Sequence, residues 1–522
     1  MTTPLPARLD RAIASLARAY PGPGGAVAVL KDGEVLARHA WGYANAERRI
    51  YFTPKTLFRM CSITKQFTCA LVLDAFADPS ELDGDVAARL PNLQGPAPKA
   101  LHLCHNQSGL RDYWAVAMLH GSPAEAFFGD AEAARVISET RTLQFAPGTR
   151  FSYVNQNFRI LSDILQDRAG RSFAELLRTR LFDRVGMESA FLAADTRAMP
   201  DGTEGYEPMA LGGFRPAENR ILWTGDAGLG ASLDDMIAWE RWIDASRDDP
   251  DSLYGRMSAP VAFGDGAPAS YGFGLGRGKV LGHDSIGHGG ALRGWRCHRV
   301  YLPAERISVV VLLNHLSHAH EAATDLLCAV LDEARPSPPA DRPAPTWLGA
   351  YVEPETGLSV RIESGPPGRV QLRYGHGPAL LDLNEDGTAG EGPQIHQGEG
   401  GLRLTLSGDN QSSLLSPRPG APSLDVTGRY HCDELDADVT VVDAGGALYG
   451  GFSGFLGLGR MELLEPIGAD LWALPCPRAL DHTPPGDWTL AFQRDDGGKV
   501  ESVTVGCWLA RGLVYRRADR KV

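Results

Sequence analysis

Met60-Cys61-Ser62-Ile63-Thr64-Lys65-Gln66-Phe67 is the stretch on which the reading of this chain turns. Ser62 and Lys65 stand three residues apart at the head of an apolar run over residues 67–76, which reads as a helix. Residues i and i+3 share a helical face, so the Lys65 amine reaches the Ser62 hydroxyl. That is a serine nucleophile with a built-in base. A Ser-x-x-Lys arises by chance roughly once or twice in a chain of this length, and here Ser62 to Lys65 is the sole instance. Cys61 is a rival nucleophile by position, but it has no histidine near it in sequence and reads as a small packing residue.

Working outward, a length of 522 residues exceeds what one core sustains, roughly 250 to 300 residues, and predicts several domains. With 43% hydrophobic and 22% charged residues the composition is that of an ordinary globular protein. A net charge of -13 argues against a nucleic-acid-binding surface, which needs a basic stripe. The first twenty residues lack the apolar core of a secretory signal, and no stretch approaches the ~18 uninterrupted apolar residues of a membrane span. The cysteines at 61, 69, 104, 297, 328, 432, 476 and 507 have no paired spacing, so neither a zinc site nor a disulfide framework is expected. These features predict a cytoplasmic protein with no metal, no cofactor, no nucleic acid and no membrane as partner.

Leu9, Ile13, Leu16 and Ala17 recur at helical spacing, and Pro21-Gly22-Pro23-Gly24 ends that helix. Residues 25–30 and 34–40 read as a hairpin about Asp32-Gly33. Residues 285–290, 293–302 and 306–313 read as a meander, and 322–331 as a closing helix. Strands at both ends with helices between predict an α+β unit whose terminal segments share one antiparallel sheet.

This unit is expected over residues 1–335, followed by a proline-rich spacer over 336–346. The remainder is glycine-rich with alternating short strands. Gly349-Ala350-Tyr351 with Glu355, Val360 and Ile362 repeats as Gly428-Arg429-Tyr430 with Glu434, Val439 and Val441. Two small antiparallel β-barrel-like domains are expected, over residues 347–416 and 417–522.

Three motifs then fall in order: Ser62-Ile63-Thr64-Lys65, Tyr153-Val154-Asn155 and His288-Gly289-Gly290. Together they resemble the pattern of the penicillin-recognising serine enzymes, one branch of which carries Ser-x-x-Lys, Ser-Asp-Asn and Lys-Thr-Gly. Tyr-x-Asn and a third motif beginning with His are similar to the class C β-lactamase branch. The three-domain layout and His-Gly-Gly most resemble the bacterial D-aminopeptidases within it. Tyr43-Ala44-Asn45 and His396-Gln397-Gly398 are decoys, the first preceding the nucleophile and the second lying beyond the spacer.

The resemblance implies a serine β-lactamase/penicillin-binding-protein-like catalytic domain and an acyl-enzyme on Ser62. Lys65 or Tyr153 is the base, and the residues leave that choice open; Tyr153 also protonates the leaving amine. Asn155 would donate to the substrate carbonyl and accept from Lys65. His288 would line the opposite wall, hydrogen-bonded to Tyr153 or to substrate. The backbone N–H groups of Ser62 and Ala291 would form an oxyanion hole, typically worth ~3 to 4 kcal/mol per donor. Gly289 and Gly290 would line the substrate site, Gly289 lacking the hydroxyl that binds a terminal carboxylate. Residues 475–486 form a proline-stiffened loop that, by the same resemblance, reaches the active site, with Asp481 as partner of the substrate ammonium.

The implied activity is release of an amino-terminal D-residue, D-alanine foremost, from small D-amino-acid peptides or amides, by a homodimer. A D,D-carboxypeptidase, β-lactamase or esterase on the same machinery is the alternative, and a non-catalytic peptidoglycan-fragment sensor a more distant one.

Overall fold

The computed structural model describes residues 4–375, 377–480 and 485–518. Its first unit is built on α1 (Leu5–Ala19), β1 (Gly24–Lys31), β2 (Glu34–Asn45), α2 (Thr64–Ala75), α3 (Gln156–Ala169), α4 (Leu233–Ser246), β3 (Leu275–Val280), β4 (His283–Leu292), β5 (Trp295–Leu302), β6 (Ile307–Leu313) and α5 (Ala319–Leu331). The β1–β2 hairpin turns on Asp32 and Gly33, both at positive φ (52° and 76°), the mirror-image turn that Asp-Gly favours.

β1 pairs antiparallel with β6, Gly25 opposite Leu313, so the first and last strands of this unit lie side by side, as the sequence predicts. The full order is Tyr271–Gly272, β3, β4, β5, β6, β1, β2, Ile50–Tyr51. Alternation along these strands divides their side chains between two cores. Val27, Val29, Val309 and Val311 pack with α1 and α5 on one face. Ala26, Ala28, Val310 and Leu312 join the core holding α2 and α4 on the other. Every residue of α2 from Thr64 to Leu73 is buried, so this helix is an axle of the unit rather than an amphipathic surface helix.

Ser62 itself lies one turn before α2, in the tight 3₁₀ turn Cys61–Ile63. Cys61 holds φ at 48°, an unusual left-handed conformation for a residue with a side chain. In a 3₁₀ turn positions i and i+3 eclipse, so the expected meeting of Ser62 and Lys65 survives although the helix proper starts at Thr64.

Residues 334–345 carry neither helix nor strand. Beyond them, β7 (Gly349–Val352) and β8 (Ser359–Ser364) belong to a five-stranded sheet, which a three-stranded sheet joins around a core including Val360, Ile362, Leu372 and Leu404. β9 (Gly428–Cys432), β10 (Ala437–Asp443), β11 (Val500–Cys507) and β12 (Ala510–Arg517) lie in a ten-stranded antiparallel sheet, a half-barrel whose edge strands Gly457–Leu458 and Glu465–Gly468 are not paired with each other.

The sequence repeat has a structural counterpart. Gly349 faces Ile362 across β7–β8 just as Gly428 faces Val441 across β9–β10. Both tyrosines reach back four residues, Tyr351 Oη to Trp347 O (2.8 Å) and Tyr430 Oη to Val426 O (2.7 Å). Among the described residues no helix is long and apolar enough to cross a membrane, and no group of three or more His, Cys, Asp or Glu side chains is placed to hold a metal.

Candidate active site

Four segments converge on Ser62: its own turn, the approach to α3, strand β4 and, from the last unit, the β11–β12 turn. Lys65 is fully buried and donates through Nζ to Ser62 Oγ (3.0 Å), Asn155 Oδ1 (2.9 Å) and Asp226 O (2.8 Å). Burial lowers its pKa to about 8, against the pull of the Asp226 and Asp112 carboxylates. The three acceptors saturate an ammonium. Once neutral, the amine keeps two N–H bonds, and with these on Asn155 and Asp226 its lone pair faces Ser62.

Tyr153 lies beside this pair, with Lys65 Nζ 4.9 Å from its ring centroid. Burial drives the phenol pKa well above its ordinary value, and a hydrogen bond from Ser62 pulls the other way. Tyr153 is therefore held as a neutral phenol, and of the two bases the sequence left open, burial favours Lys65.

Asn155 immediately precedes α3 without capping it, because its amide is committed on both sides. Oδ1 accepts from Lys65, while Nδ2 donates to Asp112 Oδ2 (2.9 Å), leaving one N–H of the amide beyond that bond. His288 does not bond Tyr153, as the sequence reading allowed, but Tyr271. Its Nδ1 donates to Gly289 O, so Nε2 accepts from Tyr271 Oη at 3.0 Å. Burial and the nearby Lys65 lower the His288 pKa to about 3, which keeps the ring neutral.

The two glycines of the third motif differ. A Cβ on Gly290 would lie 2.4 Å from Cys297 Sγ, 2.7 Å from Met60 O and 2.9 Å from Cys61 Cβ, so only glycine lets β4 lie against the Ser62 turn. A Cβ on Gly289 would point to the other face of the sheet, 3.4 Å from His298 Nδ1, so what Gly289 can offer the site is backbone. Ala291 follows on the same strand, which the Gly290 contact presses against the turn.

Residues 475–480 of the last unit are tied to this end of β4. Arg293, just past the strand, donates through Nη2 to Ala479 O (2.6 Å), Arg478 pairs with Glu125, and Leu480 is buried. Asp481 lies outside the described residues.

Sequence reasoning missed Asp112, Asp226, Tyr271 and Trp508. Trp508, between β11 and β12, stacks on Tyr153 with ring centroids 6.1 Å apart and planes 13° from parallel. The next residue accepts a bond from Asp112 N at Leu509 O (2.9 Å), so the last unit walls the site through this hairpin. The decoys are structural: Asn45 ends β2 and donates to Gly202 O (2.8 Å), and His396 lies on a strand of the middle unit.

Comparison with known proteins agrees with this architecture. The Beta-lactamase family profile matches residues 9–330 and that of D-aminopeptidase, domain B, residues 340–516. The chain is 60% identical to a D-aminopeptidase of Gluconobacter oxydans, covering 99% of this chain and 100% of that one. It is 44% identical to a D-aminopeptidase of Brucella canis, over 98% of both. Among solved structures it is similar to an octameric penicillin-binding protein homologue from Pyrococcus abyssi (TM-score 0.53, 20% identity, 88% of this chain and 99% of that one). It is also similar to a D-amino acid amidase from Ochrobactrum anthropi (TM-score 0.51, 18% identity, 63% and 99%). Both share the fold of the first unit. By identity sustained along its whole length, the chain belongs to the D-aminopeptidase family of β-lactamase-like proteins.

Proposed function

We propose that the protein is a serine hydrolase that releases amino-terminal D-residues, D-alanine foremost, from peptides, amides or esters. The observation that carries this reading is the buried Lys65 amine, 3.0 Å from Ser62 Oγ with its pKa lowered to about 8. Ser62 attacks the acyl carbon and its proton passes to neutral Lys65. The oxyanion forms between the N–H groups of Ser62 and Ala291, with the free N–H of Asn155 directed to the same carbonyl. Tyr153 donates its proton to the leaving amine and recovers one from Lys65. Water then attacks the ester, its proton returns to Ser62 through Lys65, and the D-amino acid departs.

The substrate class rests on the two D-aminopeptidase relatives and is supported by the tethering of residues 475–480 beside β4. In this reading Asp481 takes the substrate ammonium, His288 and the backbone of Gly289 and Gly290 line the acyl subsite, and catalysis resides in residues 1–335. Residues 347–416 and 417–522 are two further domains joined through 336–346. A homodimer in the cytoplasm completes the reading, carried by the family resemblance alone; a monomer in light scattering would remove the dimer.

The test offers the purified protein D-alanine and L-alanine p-nitroanilides, an acyl-D-Ala-D-Ala peptide and a penicillin, with Ser62→Ala as control. Turnover of the D-anilide alone is expected. Turnover of the acylated peptide alone would assign a carboxypeptidase instead.

A further inference from the structure

Asp112 is fully buried, and the acyl-transfer steps above do not use it. Its carboxylate takes three N–H donors: Asn155 N at 2.6 Å and Asn155 Nδ2 at 2.9 Å on Oδ2, and Trp114 N at 3.1 Å on Oδ1. Two of the three come from one residue, so the carboxylate grips Asn155 by backbone and side chain together.

An asparagine amide has two orientations related by a half-turn, differing only in where O and NH₂ lie. Here the surroundings choose between them. On one side stands the Lys65 amine, 2.9 Å from Oδ1, and on the other the Asp112 carboxylate, an acceptor, 2.9 Å from Nδ2. Turning the amide over would set NH₂ against the amine and oxygen against the carboxylate, leaving two bonds unmade among three buried side chains.

We infer that Asp112 is a positioning residue for catalysis: it holds Asn155 in the one orientation that presents Oδ1 to Lys65, and so keeps the lone pair of neutral Lys65 directed at Ser62. With Asn155 Oδ1 and Asp226 O both available, the two N–H groups of the free amine have fixed partners. Without Asn155 Oδ1, one N–H is released to turn toward Ser62 and the lone pair turns away. Asp112 is also bonded through its own N–H to Leu509 O (2.9 Å), which ties this support to the hairpin carrying Trp508.

The inference rests on Lys65 as the base in the proposed reaction, and the test separates the two. Full-length wild type, Asp112→Asn, Asn155→Ala and the double variant are each assayed with D-alanine p-nitroanilide and with p-nitrophenyl acetate, an activated ester that reports Ser62 acylation without demanding a D-residue. Rates are expressed per folded site, counted by active-site titration.

An Asn at 112 brings an NH₂ among three N–H donors and lets the Asn155 amide turn over. Asp112→Asn is expected to lower kcat about 10- to 100-fold, part of what a general base contributes, with KM changed less than about twofold. In the Asn155→Ala background the same substitution is expected to change kcat less than about twofold, because the two residues act as a unit. Full kcat in Asp112→Asn, or losses that simply add in the double variant, would overturn the inference. If Asp112→Asn gives no folded sites, Asp112→Ser, which keeps an acceptor oxygen, is read by the same cycle. Wild type that is acylated by the ester and ignores the anilide would remove the D-aminopeptidase reading while leaving the cycle interpretable; wild type inert to both removes the base role of Lys65 and this inference with it.

Discussion

Trp508 lies over Tyr153, the two rings stacked 13° from parallel, although they belong to opposite ends of the chain. Tyr153 also stands edge-on to Tyr271, with ring centroids 6.4 Å apart, so the phenol is held from two sides, one of them supplied by the last unit. An aromatic pair of this kind contributes about 0.5–1.5 kcal/mol beyond its buried area. Trp508→Ala is therefore expected to lower kcat/KM for D-alanine p-nitroanilide up to about tenfold. Trp508→Phe, which keeps a ring on Tyr153, should stay within about threefold of wild type. Equal losses in the two variants would show that stacking is not what Trp508 provides.

The pH dependence follows from Lys65. It acts as a base only when neutral, and its pKa is lowered to about 8, so activity is low when the amine is charged and rises as pH climbs through about 8. Below that point kcat/KM should fall about tenfold per pH unit. His288, lowered to about 3, adds no limb near neutrality, and Tyr153, raised far above its ordinary value, does not ionise over the working range, whereas Asp112, raised by burial to about 7, takes up a proton below that pH and steepens the fall there. Steady-state rates from pH 5.5 to 9.5, values chosen to span about two units either side of an ordinary optimum, check the slope. A plateau reached near pH 6.5, the ordinary histidine range, would point to a different base.

The two glycines of the third motif should respond oppositely. Gly290→Ala drives a methyl to within 3 Å of Cys297 Sγ, Met60 O and Cys61 Cβ, and must push β4 away from the Ser62 turn. Overpacking of this kind costs about 1–3 kcal/mol, and acylation should fall at least about 100-fold through the displaced oxyanion site. Gly289→Ala meets nothing nearer than 3.4 Å and should keep the wild-type melting temperature. Thermal melts with acylation rates for both variants decide the matter.

Beneath β4 lies an ion pair with no exposure on either side. Arg299, opposite His288 on β5, donates to both carboxylate oxygens of Glu240 on α4 at 2.7 Å, and Ser308 Oγ donates to Glu240 Oε2 at 2.8 Å. Glu240→Gln would leave the guanidinium charge buried without its counter-ion, at a cost of about 3–5 kcal/mol. The expected result is an early midpoint in chemical denaturation. A midpoint within error of wild type would mean that Arg299 finds another partner.

Ser62, Lys65, Tyr153, Asn155 and His288 were legible because each sits in a short motif whose spacing carries chemistry. The α+β sheet was legible from strand periods at both ends of the first unit. What stayed hidden depends on close approach in three dimensions. Asp112 follows Ser108-Gly109-Leu110-Arg111 with nothing local to mark it, and it matters only because the fold brings Asn155 against it. Trp508 is one aromatic in a turn until the last unit docks. Gly290 reads in sequence as a substrate-site residue, and that it has to be glycine to admit Cys297, Met60 and Cys61 shows only in the fold. The turn at Ser62 also escaped the helical reading, because a 3₁₀ turn and an α-helix both bring i and i+3 together.

The claim on which everything else depends is that a D-aminoacyl group is carried on Ser62. Acid quenching during turnover of D-alanine p-nitroanilide, followed by mass spectrometry of the peptide spanning residues 60–67, should find one alanyl group on that peptide. It should be missing with the L-enantiomer and with Ser62→Ala. An adduct on another residue, equal labelling by the L-enantiomer, or turnover by Ser62→Ala would contradict the account.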